Sequence, residues 1–585
     1  MRTERHDILI LGGGGAGLRA ALAIAECAPD LSIRLASKVY PMRSHTVAAE
    51  GGAAGVARQD DSLDLHFRDT IAGGDWLCDQ DAVQHFVEHA TGELAQLERW
   101  GCPWTRDPNG AAAVRRFGGM SSPRTWFAAD KTGFHILHTL FQTSLRFPQI
   151  VRADEFFCVE LLVHEGRCQG VLAIEQRTGE LVAMLARAVV LATGGAGRIY
   201  RHNTNSGIVT GDGMAMALRA GVGLRDLEFV QYHPTTLPGS GVLITEAARG
   251  EGGLLVNGEG RRYLQDYGLG PETSPGAPRP KTMELGPRDR LSQAFWHEQQ
   301  AGRTAITEQG PAVWLDLRHL GRSHLDARLP LICELARVHV GVDPSTGAIP
   351  VRPAAHYSMG GVATRISGAT SLPGLFAAGE VASVGLHGAN RLGSNSLAEL
   401  LVFGGNAGRA AAAFAREVGE PPIHPLREQA RDHAVAVEAL RGKAGTERLV
   451  DVRQGLVGEM DEAFGIYRDG QRMRQGLDAL TELAERAEHL ALEDTTRMYN
   501  TQITAALELR AGLQVAISLA TAALAREESR GAHQRLDAFQ SRDDGRFLCH
   551  SLVRYLPDSG YQLTWEPVTI TRYMPAERRY GGEAS

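Results

Sequence analysis

The 585-residue sequence predicts a mixed α/β fold, with a parallel-sheet domain, an α+β domain inserted into it and a C-terminal helical bundle domain. Three observations predict this arrangement. A glycine-rich turn joins an apolar strand to an apolar helix near the N-terminus. Two later apolar segments, 186–200 and 372–383, contain similar strand-to-glycine transitions. Long amphipathic segments occur after residue 420 and have helical periodicity.

The N-terminal segment has the order strand, glycine turn, helix, strand. Residues 8–11 predict an apolar strand and 18–27 an Ala/Leu-rich helix, with a second strand after it. Between them, Gly12, Gly14 and Gly17 fit the G-x-G-x-x-G pattern. Glycine permits the tight turn and lets the backbone approach a pyrophosphate at the helix N-terminus. The segment therefore predicts a Rossmann-like dinucleotide-binding domain.

The stretch between the two later strands has frequent proline and glycine, and it predicts a separate domain inserted into the first. Segments such as 476–490 and 501–525 predict amphipathic helices, and 561–573 is strand-like. We therefore predict a dinucleotide-binding domain in two parts, 1–235 and 356–418, with an inserted domain at 236–355, a helical domain at 419–541 and a mixed C-terminal segment at 542–585.

Composition excludes several classes of protein. A net charge of −7 gives no basic surface for nucleic acid, and 585 residues are too many for one core. The seven cysteines include no C-x-x-C pair, which argues against a metal site or iron–sulfur cluster and suits a reducing cytoplasm. The N-terminus has no apolar leader, so export is not expected. The apolar segment 505–525 predicts a buried helix rather than a membrane span.

The residues around the glycine turn indicate which dinucleotide binds. The second strand ends at Ala36, Ser37 and Lys38, without the acidic residue that binds a ribose in NAD-binding folds. The closely spaced cysteine pair of a disulfide reductase is also missing. Glu380 follows the third strand and its glycine, where it is placed to bond flavin or ribityl hydroxyls, the alternative being a plain surface carboxylate. These features favour FAD.

Over nearly its whole length the sequence resembles the flavoprotein subunits of fumarate reductase and succinate dehydrogenase. The resemblance is carried, in the family's order, by SKVYPMRSHTVAAEGG, AGGDWLCDQDAV, RTWFAADKTGFH, TGDGMAMAL, EFVQYHPT, ELGPRDR, HYSMGG, GLHGANRLGSNSLAELLVFG and EESRGAHQR. VYPMRSHTVAAEGG and GLHGANRLGSNS look more like the fumarate reductase branch. The resemblance implies that the inserted α+β domain is a capping domain at the flavin face.

In this family the histidine of SHTVAAEGG carries FAD through the flavin 8α position, so the resemblance implies covalent FAD at His45. The covalent bond in the family also raises the flavin potential. Small residues around His45 suit a flat ring that lies along the backbone. The cofactor-binding residues indicated by the glycine turn and the resemblance are Gly12, Gly13, Gly14, Gly15, Ala16, Gly17, Ala36, Ser37, Lys38, Ser44, His45, Thr46, Glu50, Gly51, Gly52, Asp212, His356, Tyr357, Glu380, Arg391, Ser394, Asn395, Ser396 and Leu397.

Fumarate reduction requires a hydride on one alkene carbon, a proton on the other, and cationic groups that hold two carboxylates. The resemblance assigns substrate binding to His233, Thr245, His356 and Arg391. The catalytic residues it implies are Arg288, His233, Arg249 and Glu246. Arg288 is the implied proton donor, and Glu246 and Arg249 return a proton to it. Arginine is a weak acid, so His233 or His356 is the alternative donor.

The resemblance implies the catalytic subunit of a membrane-bound quinol:fumarate reductase, which interconverts fumarate and succinate in anaerobic respiration. The implied partners are an iron–sulfur subunit and two small membrane-anchor subunits with quinol or quinone, at the cytoplasmic face of the inner membrane. A succinate dehydrogenase working mainly in the oxidative direction is the alternative. L-aspartate oxidase, which holds FAD noncovalently, is disfavoured by His45. A flavin-bearing electron carrier without catalysis is disfavoured by the predicted dicarboxylate-binding residues.

Overall fold

The computed structural model describes residues 1–578, so the predicted segment 542–585 lies partly outside the described residues. The strands are β1 (Arg2–Leu11), β2 (Ile33–Ser37), β3 (Ala53–Ala54), β4 (Val114–Arg115), β5 (Thr125–Trp126), β6 (Ile150–Asp154), β7 (Phe156–His164), β8 (Arg167–Glu175), β9 (Glu180–Leu191), β10 (Leu224–Arg225), β11 (Val230–Thr236), β12 (Leu254–Val256), β13 (Ala305–Thr307), β14 (Gly310–Asp316), β15 (Ile349–Ser358), β16 (Gly361–Ala363), β17 (Leu375–Ala377), β18 (Ala382–Ser383), β19 (Tyr467–Arg468), β20 (Gln534–Arg535), β21 (Cys549–Leu556) and β22 (Gly560–Pro567). The α-helices are α1 (Gly15–Cys27), α2 (Leu63–Gly73), α3 (Gln80–Arg99), α4 (Thr132–Ser144), α5 (Asp212–Arg219), α6 (Ala247–Gly250), α7 (Arg288–Gln300), α8 (Arg322–Arg328), α9 (Pro330–Val340), α10 (Asn395–Glu417), α11 (Ile423–Glu438), α12 (Leu449–Ala463), α13 (Gly470–Arg486), α14 (Thr501–Ala525) and α15 (Asp544–Phe547).

The main sheet has the strand order β6-β2-β1-β9-β8-β7, with β17 also paired to β9. The pairs β1–β2, β1–β9, β2–β6 and β9–β17 are parallel, which confirms the predicted parallel sheet. β7 and β8 extend it as an antiparallel hairpin that the sequence did not predict. β1 begins at Arg2 rather than at residue 8, because the polar residues 2–6 are also paired with β9.

Both faces of the main sheet are covered. Ile8 and Ile10 lie in a core cluster with residues of α1, α3, α4 and α10. Leu9 and Leu11 lie in a second cluster with residues of β7–β9 and α11–α14. Successive side chains of a strand point to opposite faces, so a strand covered on both faces is apolar at every position. This explains why residues 8–11 are a continuous apolar run.

Helices α1 and α10 pack side by side in the same direction. A side chain at Gly404 would contact the Ala16 carbonyl oxygen, and one at Gly408 would collide with the Ala20 backbone. Since both numbers rise by four from one contact to the next, the two helices run parallel along this interface. Their N-termini therefore lie at the same end, beside the glycine turn after β1.

A second sheet has the order β11-β15-β14-β12, with β13 also paired to β14, and all of its pairings are antiparallel. Buried residues from Leu237 to Val351, with those of α7 and α9 among them, form their own core cluster. The inserted segment thus has the α+β character that the sequence predicted. The boundaries at 235 and 355 stay a prediction, and both fall inside strands, since β11 and β15 each extend across them.

The C-terminal part contains helices α11 to α14 and a sheet of order β18-β16-β10-β21-β22. Helix α14 coincides with the predicted helix 501–525. By length and composition it is the one helix among residues 1–578 that could cross a membrane, and 67% of its apolar window is buried. It packs against α5, α12 and α13, in agreement with the predicted buried helix.

Candidate active site

A cavity opens where β1, β2 and β9 end and where α1 and α10 begin. It lies at the carboxyl ends of parallel strands, the usual ligand position in such sheets. Most of the predicted cofactor-binding residues line it: Gly12, Gly13, Gly14, Gly15, Ala16, Ala36, Ser37, Lys38, Ser44, His45, Thr46, Asp212, His356, Tyr357, Glu380, Ser396 and Leu397.

The glycine turn is built for close backbone approach. Gly12 has φ +118°, and a side chain there would collide with the carbonyl group of Ala192. Gly17 does not line the cavity, but a side chain on it would collide with the Gly12 carbonyl oxygen, so it lets α1 pack under the turn. The N-cap residue of α1 is Gly14, and the Gly15 N–H donates to Thr46 Oγ1 at 3.2 Å. The other N–H groups of the first turn are placed to bind a pyrophosphate.

Lys38, directly after β2, brings a carboxylate from another element to the place where the acidic residue of β2 is missing. Its ammonium group pairs with Asp212, with Glu508 at 2.9 Å and with the Thr210 hydroxyl at 2.7 Å. Burial opposes the charge of Lys38, but the two carboxylates hold its pKa above the ordinary value. The carboxylate at this edge of the cavity is therefore supplied by α5, and Lys38 joins it to α14.

The cavity walls contain polar atoms that suit a ligand with phosphate and hydroxyl groups. Ser44 Oγ and Thr193 Oγ1 are buried, line the cavity and have no hydrogen-bond partner among residues 1–578. An unpaired buried hydroxyl is costly, so a polar ligand would stabilise the site. Together with the glycine turn and two helix N-termini, α1 and α10, these atoms fit FAD.

Six other predicted cofactor residues lie behind the cavity wall rather than in it: Glu50, Gly51, Gly52, Arg391, Ser394 and Asn395. Asn395 is bonded to His66 Nε2 at 3.0 Å and to Thr70 Oγ1 at 3.1 Å. Ser394 accepts a hydrogen bond from Thr125. A side chain on Gly51 would contact Phe117, and one on Gly52 would collide with the Trp126 backbone. Burial and Asp130 raise the pKa of Glu50 to about 8. Their proposed contacts with FAD stay a prediction.

Arg288, predicted to be catalytic, and Arg391, predicted to bind the substrate, converge on one residue that the sequence did not indicate. Arg288 Nη1 donates to Gln231 Oε1 at 3.1 Å, and Arg391 Nη2 donates to the same oxygen at 2.9 Å. Gln231 is fully buried and donates in turn to Asn390 and to the Arg391 carbonyl oxygen. Arg391 also stacks on Tyr357, 4.5 Å from the ring centroid, and donates to Ser396. We call Arg288, Arg391, Gln231, Glu246 and Arg249 the arginine centre.

Glu246 is the carboxylate of the arginine centre. Its Oε2 accepts from Arg288 Nε at 2.9 Å and lies 3.8 Å from Arg249 Nη2. Burial opposes ionisation of Glu246, but Arg288 and Arg249 hold its pKa below the ordinary value, so it is charged at neutral pH. Burial and the nearby Arg288 charge lower the pKa of Arg391 to about 9. Arg288 and Arg249 flank Glu246, and Arg391 joins them through Gln231, so the five residues of the centre hold three guanidiniums and one carboxylate and are cationic.

The two predicted histidines lie together, with ring centroids 5.1 Å apart. His233 Nδ1 lies 3.2 Å from the Thr235 carbonyl oxygen and 3.3 Å from the Thr235 backbone nitrogen, so Thr235 fixes the orientation of the ring. His356 Nδ1 is bonded to Thr204 Oγ1 at 2.8 Å. Burial and neighbouring arginine charges hold the pKa of both imidazoles well below 6.5, so both rings are neutral at pH 7. The predicted Thr245 is also buried, with its hydroxyl 3.5 Å from the Cβ position on Gly51.

Replacing Gln231 with leucine should weaken the binding of a competitive dicarboxylate inhibitor about 10- to 100-fold. The variant leaves two buried guanidiniums without their shared acceptor, a loss of about 1–3 kcal/mol. Inhibitor titration of the flavin-loaded protein measures the effect. Gln169→Leu is the matched control, because Gln169 is an equally buried amide bonded to His164 and remote from the arginine centre. Equal inhibitor affinity in the two variants would contradict the role of Gln231.

A family profile described as "FAD binding domain" matches residues 7–397, and one described as "Fumarate reductase flavoprotein C-term" matches 453–580. Fold, cavity and profiles define the class of the protein as an FAD-dependent oxidoreductase. It is 58% identical over 586 residues to the fumarate reductase flavoprotein subunit of Proteus vulgaris, covering 100% of this chain and 98% of the relative. The chain belongs to the fumarate reductase/succinate dehydrogenase flavoprotein family.

Other relatives favour the fumarate reductase branch. The fumarate reductase flavoprotein subunit of Escherichia coli K12 is 57% identical, covering 100% of this chain and 97% of the relative. A solved structure of an E. coli quinol fumarate reductase variant superposes with a TM-score of 0.98 at 56% identity, covering all of both chains. The succinate dehydrogenase flavoprotein subunit of Rickettsia bellii is 38% identical, covering 97% of this chain and 96% of the relative.

Proposed function

We propose that this chain is the catalytic flavoprotein subunit of a membrane-bound quinol:fumarate reductase, which interconverts fumarate and succinate by hydride transfer at covalent FAD in anaerobic respiration. The observation that carries the proposal is the pair of buried guanidiniums, Arg288 and Arg391, that meet at Gln231 beside the cofactor cavity. A buried cationic centre is unfavourable without an anionic ligand. A dicarboxylate supplies two negative charges, which would balance the excess positive charge of the arginine centre.

Substrate binding is assigned to the groups around the two arginines. The guanidinium of Arg391 has a planar fork that matches a carboxylate, and its stacking on Tyr357 fixes that plane. His233 and His356 are neutral, so each offers a hydrogen bond without adding charge. Together these groups would hold the two ends of the substrate against the cavity. When bound there, FAD exchanges a hydride with the alkene carbon.

The proton for the other carbon is assigned to Arg288. It is the charged donor that lies between Gln231 and Glu246, whereas both histidines are neutral at pH 7 and hence poor acids. Glu246 bonds directly to Arg288 and lies next to Arg249, which suits the return of a proton after each turnover. Fumarate thus gains one hydride and one proton to give succinate.

Covalent attachment of FAD is assigned to His45. The residue begins a 3₁₀ turn, His45–Ala48, at the cavity wall, and its Nδ1 accepts the Ser206 N–H at 3.4 Å. Burial lowers the pKa of His45 to about 4, so its ring is neutral at pH 7. A neutral imidazole keeps the lone pair that is needed for a bond to carbon. These features support the family's 8α linkage at this position.

The proposed partners are an iron–sulfur subunit and two small membrane-anchor subunits with quinol or quinone, and the proposed location is the cytoplasmic face of the inner membrane. Support comes from the related solved structures, one of a quinol fumarate reductase and one of a quinol-fumarate reductase with menaquinol molecules. The oxidative alternative, a succinate dehydrogenase, is less well supported because that relative shares 38% rather than 57–58% identity.

The assembled complex, extracted gently from native membranes, tests the proposal. We expect electron transfer from a menaquinol analogue to fumarate, and faster turnover in that direction than from succinate to a ubiquinone analogue. A cysteine-rich subunit and small apolar subunits should copurify. Fumarate reduction by the isolated chain with quinol alone would contradict the proposed partners. A complex without activity toward either dicarboxylate would contradict the proposed function.

A further inference from the structure

The C-terminal segment of the described chain is fixed along α3 before it reaches α7. The Thr569 backbone N–H donates to Asp79 Oδ1 at 2.7 Å. Gln80 Oε1 accepts three successive backbone N–H groups, those of Thr571, Arg572 and Tyr573, at 3.1, 2.7 and 3.1 Å. These bonds hold the segment at residues before Arg578, and none of them involves Arg578 itself. The backbone that leads to Arg578 is therefore held against the start of α3.

Arg578 joins this segment to two other parts of the fold. Its Nη1 donates to Asp289 Oδ2 at 2.8 Å, and its Nη2 donates to Asp289 Oδ1 at 3.3 Å. The same guanidinium reaches Asp75 Oδ2 and the Gly73 carbonyl oxygen, each at 3.4 Å. The Arg578 side chain is 10% exposed and that of Asp289 only 1%. A bidentate pair shielded from water in this way is among the stronger polar contacts in proteins.

The two carboxylates that Arg578 contacts belong to different units: Asp289 to the inserted unit and Asp75 to the dinucleotide-binding unit. Asp289 is the second residue of α7 and directly follows Arg288, the assigned proton donor. Asp75 lies in the connection between α2 and α3, where it also accepts the Gly531 N–H at 2.9 Å and bonds Arg542 at 3.1 Å. Burial opposes the charge of Asp75, but Arg578 and Arg530 hold its pKa below the ordinary value. Asp75 is therefore a fixed, charged anchor for Arg578.

Arg288, the first residue of α7, bonds Glu246 of the inserted unit at 2.8 Å and Gln231 at 3.1 Å, and the other polar contacts of α7 near this end are longer. Ser292 donates to the Tyr232 carbonyl oxygen at 3.3 Å, and Gln293 donates to the Gly531 carbonyl oxygen at 3.3 Å. Within residues 1–578, the Arg578–Asp289 pair is therefore the closest contact that fixes the first turn of α7 from outside its own unit. Displacements of about 1 Å at a catalytic group can lower a rate by up to ~10²-fold.

We propose that Arg578 is a positioning residue that fixes the first turn of α7, and thereby Arg288, against the dinucleotide-binding unit. The inference rests on the proposed function, since it gives Arg288 the role of proton donor. Arg578 acts through Asp289 and contacts neither reactant. Its loss should lower the rate of the chemical step and leave binding of the dicarboxylate nearly unchanged, because Arg391 and both histidines keep their own contacts.

Two measurements on the assembled complex test the proposal with Arg578→Ala. Single-turnover oxidation of reduced flavin by fumarate should slow about tenfold, with the inhibitor dissociation constant changed less than twofold. Amide hydrogen exchange at residues 291–294, the first N–H groups bonded within α7, should speed up by a similar factor. Arg578→Lys should restore part of the rate, since a lysine can pair with Asp289 but cannot span all three partners. Arg572→Ala is the matched control, because Arg572 lies in the same C-terminal segment as Arg578. Its side chain bonds Asp64 and Gln84 and does not contact α7.

The outcomes separate this proposal from the proposed function. If Arg578→Ala and Arg572→Ala show the same flavin oxidation rate and the same α7 exchange, the positioning role is wrong. If the wild type fails to oxidise its flavin with fumarate, the proposed function is wrong, and the exchange measurement alone then decides whether Arg578 fixes α7. An equal loss of inhibitor binding and of rate in Arg578→Ala would also overturn the proposal, because it would indicate general damage to the site.

Discussion

Arg288→Lys should slow the single-turnover oxidation of reduced flavin by fumarate at least about 10³-fold. General-acid catalysis contributes about 10²–10⁴-fold, and a lysine places one point charge where the guanidinium contacts both Gln231 and Glu246. Binding of a competitive dicarboxylate should weaken far less, because Arg391 keeps its bond to Gln231. Rapid mixing of reduced enzyme with fumarate, together with inhibitor titration, measures both quantities.

Variants of the binding residues provide the comparison. His233→Ala, His356→Ala and Arg391→Lys should each raise the inhibitor dissociation constant, since each removes a group assigned to the carboxylates. The histidine alternative for the proton donor makes the opposite prediction. If His233→Ala abolishes flavin oxidation with inhibitor binding intact, and Arg288→Lys oxidises flavin at a near-normal rate, then the donor is a histidine. The pH dependence of the rate gives a second test, because the structure holds the pKa of His233 well below 6.5. If the wild-type rate depends on an ionisation near pH 7 and this dependence disappears in His233→Ala, the donor is also a histidine.

The sequence predicted the parts of the fold that local pattern determines. The glycine turn and the apolar strand at 8–11 were sufficient for the first βαβ unit, because a strand covered on both faces must be apolar throughout. The β7–β8 hairpin was missed because β8 is buried at almost every position and so lacks the alternation of a half-exposed hairpin strand. The start of β1 was missed because the polar residues 2–6 are paired through their backbone, which leaves no apolar signal.

The candidate site was predictable where motifs carry it and not where it depends on tertiary contacts. Residues 12–16 of the glycine turn and Ser44, His45 and Thr46 of SHTVAAEGG line the cavity, whereas residues 50–52 of the same motif do not. Gln231 was not indicated, although it lies in EFVQYHPT, because its role depends on two arginines that are 57 and 160 residues away. Thr193 gave no signal either, since a hydroxyl after a strand is common. The Lys38–Glu508 pair joins residues 470 apart and is likewise invisible in sequence.

His45→Ser should convert all of the flavin into a form that denaturation releases. The wild-type complex should keep its yellow flavin through acid precipitation, and the peptide that contains His45 should carry the flavin mass. The variant should still bind FAD, because the glycine turn and the N-termini of α1 and α10 are unchanged. It should lose succinate oxidation and keep part of its fumarate reduction, since the family's covalent bond raises the flavin potential and so favours the oxidative direction.

The control for this experiment is His89→Ser, because His89 lies on the exposed face of α3 and does not line the cavity. That variant should retain the covalent flavin and both activities. Two results would overturn the assignment: complete release of flavin from denatured wild-type complex, or covalent flavin that persists in His45→Ser. A neutral His45 at the cavity wall, with its pKa lowered to about 4 by burial, is the physical reason to expect neither. The attachment chemistry then depends on where the fold places this imidazole, in a turn at the wall of the cavity.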